Sequence, residues 1–198
     1  LDADRVAFAP NELLTAILRA PVDLLWNGGI GTYVKAASES HAEVGDRAND
    51  SLRVNGAELR CKMVGEGGNL GFTQRGRVEY ALAGGLINTD AIDNSAGVDC
   101  SDHEVNIKIL LGAAMAKRGL GIAQRNELLA EMTDEVGEMV LDDNRAQTLA
   151  LTIARRQALP MINVHSRYLN SLESEGWLNR ALEFLPTDRQ IAERQTAG

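Results

Sequence analysis

The chain has 198 residues, with Lys and Arg totalling 20 against 28 Asp and Glu, for a formal net charge of -8. That length fits one ordinary domain or two small ones, and 44% apolar with 24% charged residues excludes a disordered chain. The acidic balance argues against nucleic acid or an anionic membrane as a partner, and no apolar run reaches the roughly 18 residues of a membrane span. Cys61 and Cys100 lie far apart and form no C-x-x-C pair, which disfavours a disulfide scaffold or zinc ribbon and makes a reducing, cytoplasmic setting the expectation. The first residues carry Asp2, Asp4 and Arg5 and no apolar stretch, so they do not read as a secretory leader; Leu rather than Met at position 1 suggests a fragment or processed product.

In chain order, residues 11–19 (NELLTAILR) predict a short helix with Asn11 or Pro10 near its start. After Pro21, Val22–Trp26 reads as a buried strand that stops at Asn27-Gly28-Gly29-Ile30-Gly31. Residues 38–54 predict an amphipathic helix or helix-rich loop, and Asn55-Gly56 a turn. A second strand over 60–64 ends in GEGGNLG, a helix follows over 74–82, and Leu86-Ile87-Asn88 is a third, very short strand. Strand, Gly-rich turn and helix in alternation indicate an α/β domain with a parallel sheet. Of the 19 glycines, 13 precede residue 100, and beyond it the period becomes helical. Ser101 with Glu104 fits a capping box for a helix carrying Val105, Leu110 and Leu111, ended by Gly119-Leu120-Gly121. A second helix is expected over 123–140 and a third over 143–172, kinked or split by Pro160. Trp177–Leu185 suggests one more short helix, and the polar tail from Thr187 should fray.

The most informative stretch is GEGGNLG. Gly65, Gly67 and Gly71 follow a strand, and Asp90 lies about two dozen residues on, as a ribose-binding acid would in a first Rossmann turn. The G-x-G-x-x-G spacing fails, however, because Leu70 stands where glycine is required, and a tight turn without any ligand is the plain alternative. Gly28, Gly29 and Gly31 form a second cluster, and two glycine turns at successive strand ends suggest one cleft at the carboxyl edge of a sheet. Asp99, Asp102, His103 and Glu104 match no zinc spacing and suit the first turn of a capped helix, so no metal is expected. Ser101 reads either as an N-cap or as a donor to a substrate carboxylate. Cys61 reads as core, Cys100, His41 and His165 as structural or surface residues, and Arg155-Arg156 as solvated.

Four segments carry a family resemblance: DLLWNGGIGTYVK (23–35), EVGDRAND (43–50), VGEGGNLGFTQRGRVEYALAGG (64–85) and NTDAIDNSAGVDCSDHEVNIKILL (88–111). The chain resembles the glutamate dehydrogenases, above all the very large NAD-dependent class of bacteria. EGGN (66–69) is similar to the E-G-A-N of the smaller enzymes, and DAIDNSAGV followed by Ser101 to their P-D-x-x-x-N-A-G-G-V-x-x-S. Gly68, Thr89, Ser95 and Ala96 depart from the smaller enzymes and follow the large class.

The resemblance moves EGGN from a first phosphate loop to the nicotinamide side of a Rossmann domain. It implies that Asn69 and Asn94 lie near the nicotinamide and its ribose, that Gly28 and Gly29 line the cofactor, and that Ser101 helps hold the substrate's side-chain carboxylate. The implied cofactor is NAD and the implied substrate pair L-glutamate and 2-oxoglutarate. The expected architecture is a partial Rossmann-like parallel sheet over 1–100 followed by an all-helical segment over 101–198. The family's catalytic Lys and Asp and its first phosphate loop match no segment here, so the remaining domains of a longer parent chain are the expected partners, and this chain alone is expected to be inactive. An incomplete Rossmann sheet exposes an edge, through which self-association into a homo-oligomer is expected. The alternative is a non-catalytic helical interaction module on an α/β scaffold, with Met132, Val136, Met139 and Val140 as a docking stripe.

Overall fold

The computed structural model describes residues 7–197; Asp2, Asp4 and Arg5 lie outside them. Helix α1 (Pro10–Leu18) begins with proline at its first turn, where the missing N–H costs nothing. Strand β1 (Leu24–Asn27) pairs in parallel with β4 (Met63–Glu66), Leu24 opposite Met63 and Asn27 opposite Glu66. Strand β2 (Val34–Lys35) pairs in parallel with β3 (Val54–Asn55), and Phe72 bridges to Val34 on the other side. Between β2 and β3 lie the single-turn helix α2 (His41–Val44) and a 3₁₀ turn at Arg47–Asn49, so the stretch expected to be helix-rich holds only short pieces. A second 3₁₀ turn, Gly56–Glu58, stands where a simple turn was expected. Helix α3 (Gln74–Leu82) is capped by Thr73, whose hydroxyl accepts the Gly76 N–H at 3.0 Å.

The core gathers Val34, Val54, Leu59, Cys61, Val64, Phe72 and Tyr80 between the two strand pairs and α3. Tyr80 donates its hydroxyl to the Cys61 carbonyl at 2.9 Å, which places Cys61 in the core as its apolar neighbours indicated. The expected third strand is a single bridge, Leu86 to Met63, rather than a strand. The first strand is not buried as expected. Leu24 is 50% and Trp26 59% exposed, because among the described residues β1 pairs only with β4 and nothing covers the face that Leu24, Trp26 and Met63 share.

The helical half departs further from its pattern. Helix α4 (Asp90–Asp93) leads straight into α5 (Ser95–Arg118), which starts six residues before Ser101. Ser101 is therefore inside a helix and not its N-cap, and Glu104 pairs with Lys108 instead of closing a capping box. Gly119 ends α5 in the left-handed region, φ 70°, and three residues later α6 (Ile122–Gln157) turns back along it. Helix α6 runs 36 residues without the expected break near 141, since Leu141-Asp142-Asp143 contains no residue that stops a helix. Pro160 does separate it from α7 (Ile162–Ser174).

Trp177–Leu185 forms turns rather than a helix, and the tail does not fray over its described length. Helix α8 (Asp188–Ala197) is held by reciprocal Thr187–Gln190 capping. Asp188 also accepts from Ser166, Asn170 and Arg180 at 2.9–3.0 Å, contacts that hold its carboxyl below the usual range. No helix among the described residues is long and apolar enough to cross a membrane.

The core assignment makes a direct prediction. Phe72→Ala removes a ring that is 2% exposed and should cost about 3–5 kcal/mol in urea unfolding, whereas Leu82→Ala, at 84% exposure, should stay within about 0.5 kcal/mol.

Candidate functional site

Strands β1 and β4 run side by side and end in the two glycine turns, so the sheet delivers both to one edge. The first turn, Gly28–Thr32, is built from its flanks. Thr32 donates its N–H to Asp46 Oδ2 at 2.8 Å, and Asn49 Nδ2 donates to the same oxygen at 2.6 Å. These two contacts, the Asn49 amide first, hold the Asp46 carboxyl below its ordinary range. Arg53, its side chain fully buried, donates to the Thr32 carbonyl at 2.7 Å, to Asp50 at 2.6 Å and to the Asp46 carbonyl at 2.5 Å. His41 meets the same guanidinium at 2.8 Å, which makes it a structural residue as expected. Gly31 sits at φ +126°, where a Cβ would also fall 2.5 Å from Asn49 Nδ2, so the turn needs glycine there.

The second turn follows β4. Glu66 is wholly buried and receives both arms of Arg77, Nε at 2.5 Å and Nη2 at 3.0 Å. Burial pushes the Glu66 carboxyl up, and Arg77 opposes that shift. Three N–H groups in and beside the turn are taken by carboxylates: Glu66 N–H by Asp93 at 2.9 Å, Leu70 N–H by Asp90 at 2.7 Å, and Phe72 N–H by Glu66 at 3.2 Å. Leu70 is held at φ 56°, unusual for a residue with a Cβ. Asp90 thus ties the turn internally and also meets Arg77 at 3.2 Å, an arrangement different from the ribose acid of a first Rossmann turn.

The two turns touch. Thr32 Oγ1 donates to the Leu70 carbonyl at 2.7 Å and Gly68 N–H to the Asn27 carbonyl at 2.9 Å. A Cβ on Gly68 would collide with the Gly29 carbonyl oxygen. Asn94, at the junction of α4 and α5, donates its amide to the Gly68 carbonyl at 3.2 Å and to Asn69 Oδ1. Asn69 and Asn94, 25 residues apart in sequence, therefore present neighbouring amides.

Asn69 and Asn94 line an open cleft of about 570 Å³ between the second turn, α5 and α6, with Ser95, Val98, Asp99 and Gln147 among its walls. Gly28 and Gly29 line a different, more apolar pocket of about 290 Å³ beneath β1 and α1. The four residues are joined through the Gly29–Gly68 contact but do not share one cavity. Ser101 lies at i+7 from Asn94 and i+3 from Val98, beside the cleft's helical wall but not in its lining. The helix N-terminus nearest the amides belongs to Ser95, whose single hydroxyl proton has the Ile92 carbonyl and Gln147 Oε1 at 2.9 Å and Asn144 Oδ1 at 3.1 Å within reach, the last two on α6.

Of the four acidic and histidine positions weighed for metal, Asp99 and His103 approach at 3.3 Å and are joined by Asp143 of α6, one donor atom from each lying within 4.8 Å of the others. Asp143 was not foreseeable from spacing because it comes from another helix. Glu104 is taken by Lys108. Arg53, Asp46, Glu66 and Arg77 also escaped the sequence reading as site residues, and Asp90 was weighed there only as a ribose acid. Asp46, Glu66 and Arg77 lie inside the quoted family segments, whereas Arg53 lies between two of them and carried no such signal. The Met132–Val140 stripe is divided, with Val140 buried at 4% and Met139 exposed at 47%.

Residues 1–154 match the family described as “Bacterial NAD-glutamate dehydrogenase, catalytic domain”. The chain is similar over all 198 residues to the NAD-specific glutamate dehydrogenase of Pseudomonas aeruginosa, at 60% identity, and to that of Mycobacterium tuberculosis, at 54%. It is 56% identical over 186 residues, 94% of its length, to the NAD-specific glutamate dehydrogenase of Halomonas elongata. The chain spans 12% of the length of each of these three relatives.

The Asp46 clamp sets a pH dependence. A carboxyl held low in the folded state stabilises that state above its unfolded value, and the stabilisation is lost as pH falls through the folded value. Urea-unfolding stability should therefore drop as pH is lowered below about 4, and Asp46→Asn should show a measurably shallower drop over the same range. Superimposable pH profiles for the two proteins would remove Asp46 as the clamp of the first turn.

Proposed function

Because the chain belongs to the bacterial NAD-glutamate dehydrogenase catalytic-domain family, we propose that it is part of an NAD-dependent glutamate dehydrogenase. The reaction of the whole protein is L-glutamate, NAD and water giving 2-oxoglutarate, ammonium, NADH and a proton. On this reading residues 1–100 are the nicotinamide-side portion of a Rossmann cofactor domain and residues 101–198 its helical continuation. The observation that supports it best is the pairing of Asn69 with Asn94, the two amides that the family resemblance assigns to the nicotinamide and its ribose.

The residues present support this reading. A Cβ on Gly29 would find its nearest atom 3.9 Å away, so the protein's own packing does not require glycine there and the turn leaves room for a ligand to approach its backbone. Gly68, by contrast, is needed to let the two turns meet. NAD, when bound, supplies the hydride acceptor. Asn69 and Asn94 would orient the carboxamide and ribose so that one ring face meets the substrate's Cα. Ser101 would reach the substrate carboxylate from the side of α5, without the help of a helix N-terminus.

The groups that move protons and ammonia belong, on this reading, to the remaining domains of the parent. The accessible surface supports such partners: 13465 Å² is exposed, against about 9,100 Å² for a compact protein of 21.4 kDa. The free edge of β1 is the surface through which copies would associate. The proposed setting is the cytoplasm.

The intact polypeptide containing this segment should reduce NAD with L-glutamate, and this chain alone should not; glutamate-dependent NADH formation by the pure 198-residue chain would overturn the division of labour. In the intact enzyme, Ser101→Ala should raise the glutamate KM about tenfold, as expected for losing a hydrogen bond to a charged group. Its melting temperature should be unchanged or slightly higher, because Ser101 is an exposed position inside a helix, where alanine is the better former.

A further inference from the structure

We infer that Arg77 is a positioning residue for the Asn69–Asn94 amide pair, acting through Glu66 and Asp90. The inference rests on the reading above for what the amides hold, and on the geometry for how they are held. Arg77 reaches both ends of the turn: its fork grips Glu66 at the last position of β4, and Nη2 meets Asp90 at the start of α4 at 3.2 Å. Each of these carboxylates also accepts one N–H of the turn, Glu66 that of Phe72 and Asp90 that of Leu70. Asp93, one helical turn after Asp90, accepts the Glu66 N–H. Strand end, turn and α4 are thus fastened by one guanidinium and three carboxylates. Asn69 precedes the restrained Leu70, and Asn94 follows directly on α4.

Stability alone does not account for this arrangement. Burying two charges is expensive, and an apolar pair of similar volume is often as stable or more so. What an apolar pair lacks is direction: it cannot accept the Phe72 N–H or tether Asp90. Lysine would not substitute, because a single ammonium cannot span both carboxylates in this fork geometry. Arg77 does not line the cleft, so its effect on a ligand there must pass through the turn.

The test uses the intact enzyme carrying this segment. Arg77→Lys should raise the NAD KM about tenfold or more. Hydrogen–deuterium exchange of the peptide covering residues 66–73 should accelerate by a similar factor, with α6 unchanged. The paired variant Glu66→Gln/Arg77→Met, which removes both buried charges, should recover most of the melting temperature yet keep the raised KM and fast exchange. If KM and exchange instead return to wild-type values along with the melting temperature, the pair is only a stabilising contact. Should either of those proteins fail to fold, Asp90→Asn, whose side chain is 17% exposed and can still accept from Leu70, weakens the Arg77–Asp90 tether; because Asp90 also lines the cleft, exchange of residues 66–73 is read beside the KM. It should raise the KM by a smaller factor, and an unchanged KM with unchanged exchange overturns the inference. A wild-type enzyme that does not reduce NAD with glutamate would sink the proposed reaction, while faster exchange in Arg77→Lys would still establish the positioning of the turn.

Discussion

The bidentate contact between Glu66 and Arg77 is the constraint around which the rest of the α/β half is arranged. A carboxylate with no solvent exposure, at the end of a parallel strand and beside Phe72, cannot stand unpaired; desolvating it costs several kcal/mol before any partner is supplied. The partner comes from α3, which packs against β2 and the Gly56–Glu58 turn and reaches Glu66 through the buried Arg77. Once the pair is in place, the remaining lone pairs and N–H groups dictate the neighbourhood. The second Glu66 oxygen takes the Phe72 N–H, Arg77 Nη2 is shared between Glu66 and Asp90, Nη1 goes to Gln74, and Asp90 takes the Leu70 N–H. The left-handed Leu70 is then a consequence of a turn pinned on both sides, the situation in which such conformations persist.

The glycines follow from close approach, and they divide by cause. Gly65 leaves room for the Trp26 ring, since a Cβ there would sit 2.6 Å from Trp26 Cε3. Gly68 lets the second turn rest on the first. Gly31 supplies a backbone conformation that other residues resist. Gly29 has no such internal reason. Gly97, Gly112 and Gly137 are equally open, but they lie inside helices, so it is open space at a strand-end turn that sets Gly29 apart. The failed G-x-G-x-x-G spacing at Leu70 carried real information: position 70 is a strained, hydrogen-bonded corner and not a phosphate-facing glycine.

Legibility in the sequence tracked how local the determining forces were. Helix α1, helix α3 and the interruption at Pro160 rest on short-range signals, and they stand where the sequence indicated them. The pairing of the strands that carry the two glycine turns was legible too, because parallel strands separated by a crossover were the only economical arrangement of those runs. The start of α5 was misjudged. Ser101 and Glu104 satisfy a capping pattern, but Ser95 anchors to Asn144 and Gln147 on α6, a contact 49 and 52 residues away that no local pattern reveals. The tail was misjudged for the same reason: Asp188 looks like any polar residue until Arg180 and Asn170 are folded back onto it. The buttresses of the site, Arg53 and Arg77, resemble ordinary surface arginines in sequence, and only three-dimensional burial distinguishes them.

The way the site is held follows from how small the apolar core is. Among the described residues seven make up its buried cluster, and they lie between the strand pairs and α3, with Phe72 alone of them directly bonded to the second turn's frame. At those turns the chain has little apolar material to work with; the neighbouring face of β1 and β4 leaves Leu24, Trp26 and Met63 exposed. Packing there could not fix atoms to the accuracy that orientation of a ligand demands, because apolar contact is non-directional. Charged hydrogen bonds are directional, and a buried guanidinium loses little mobility when its planar fork is already matched to carboxylates. The two turns therefore use the same device in different words: Arg53 with Asp46 and Asp50 for the first, Arg77 with Glu66 and Asp90 for the second. A rigid polar frame around backbone that must stay open to a ligand is the solution available to a cleft edge that the apolar core does not reach.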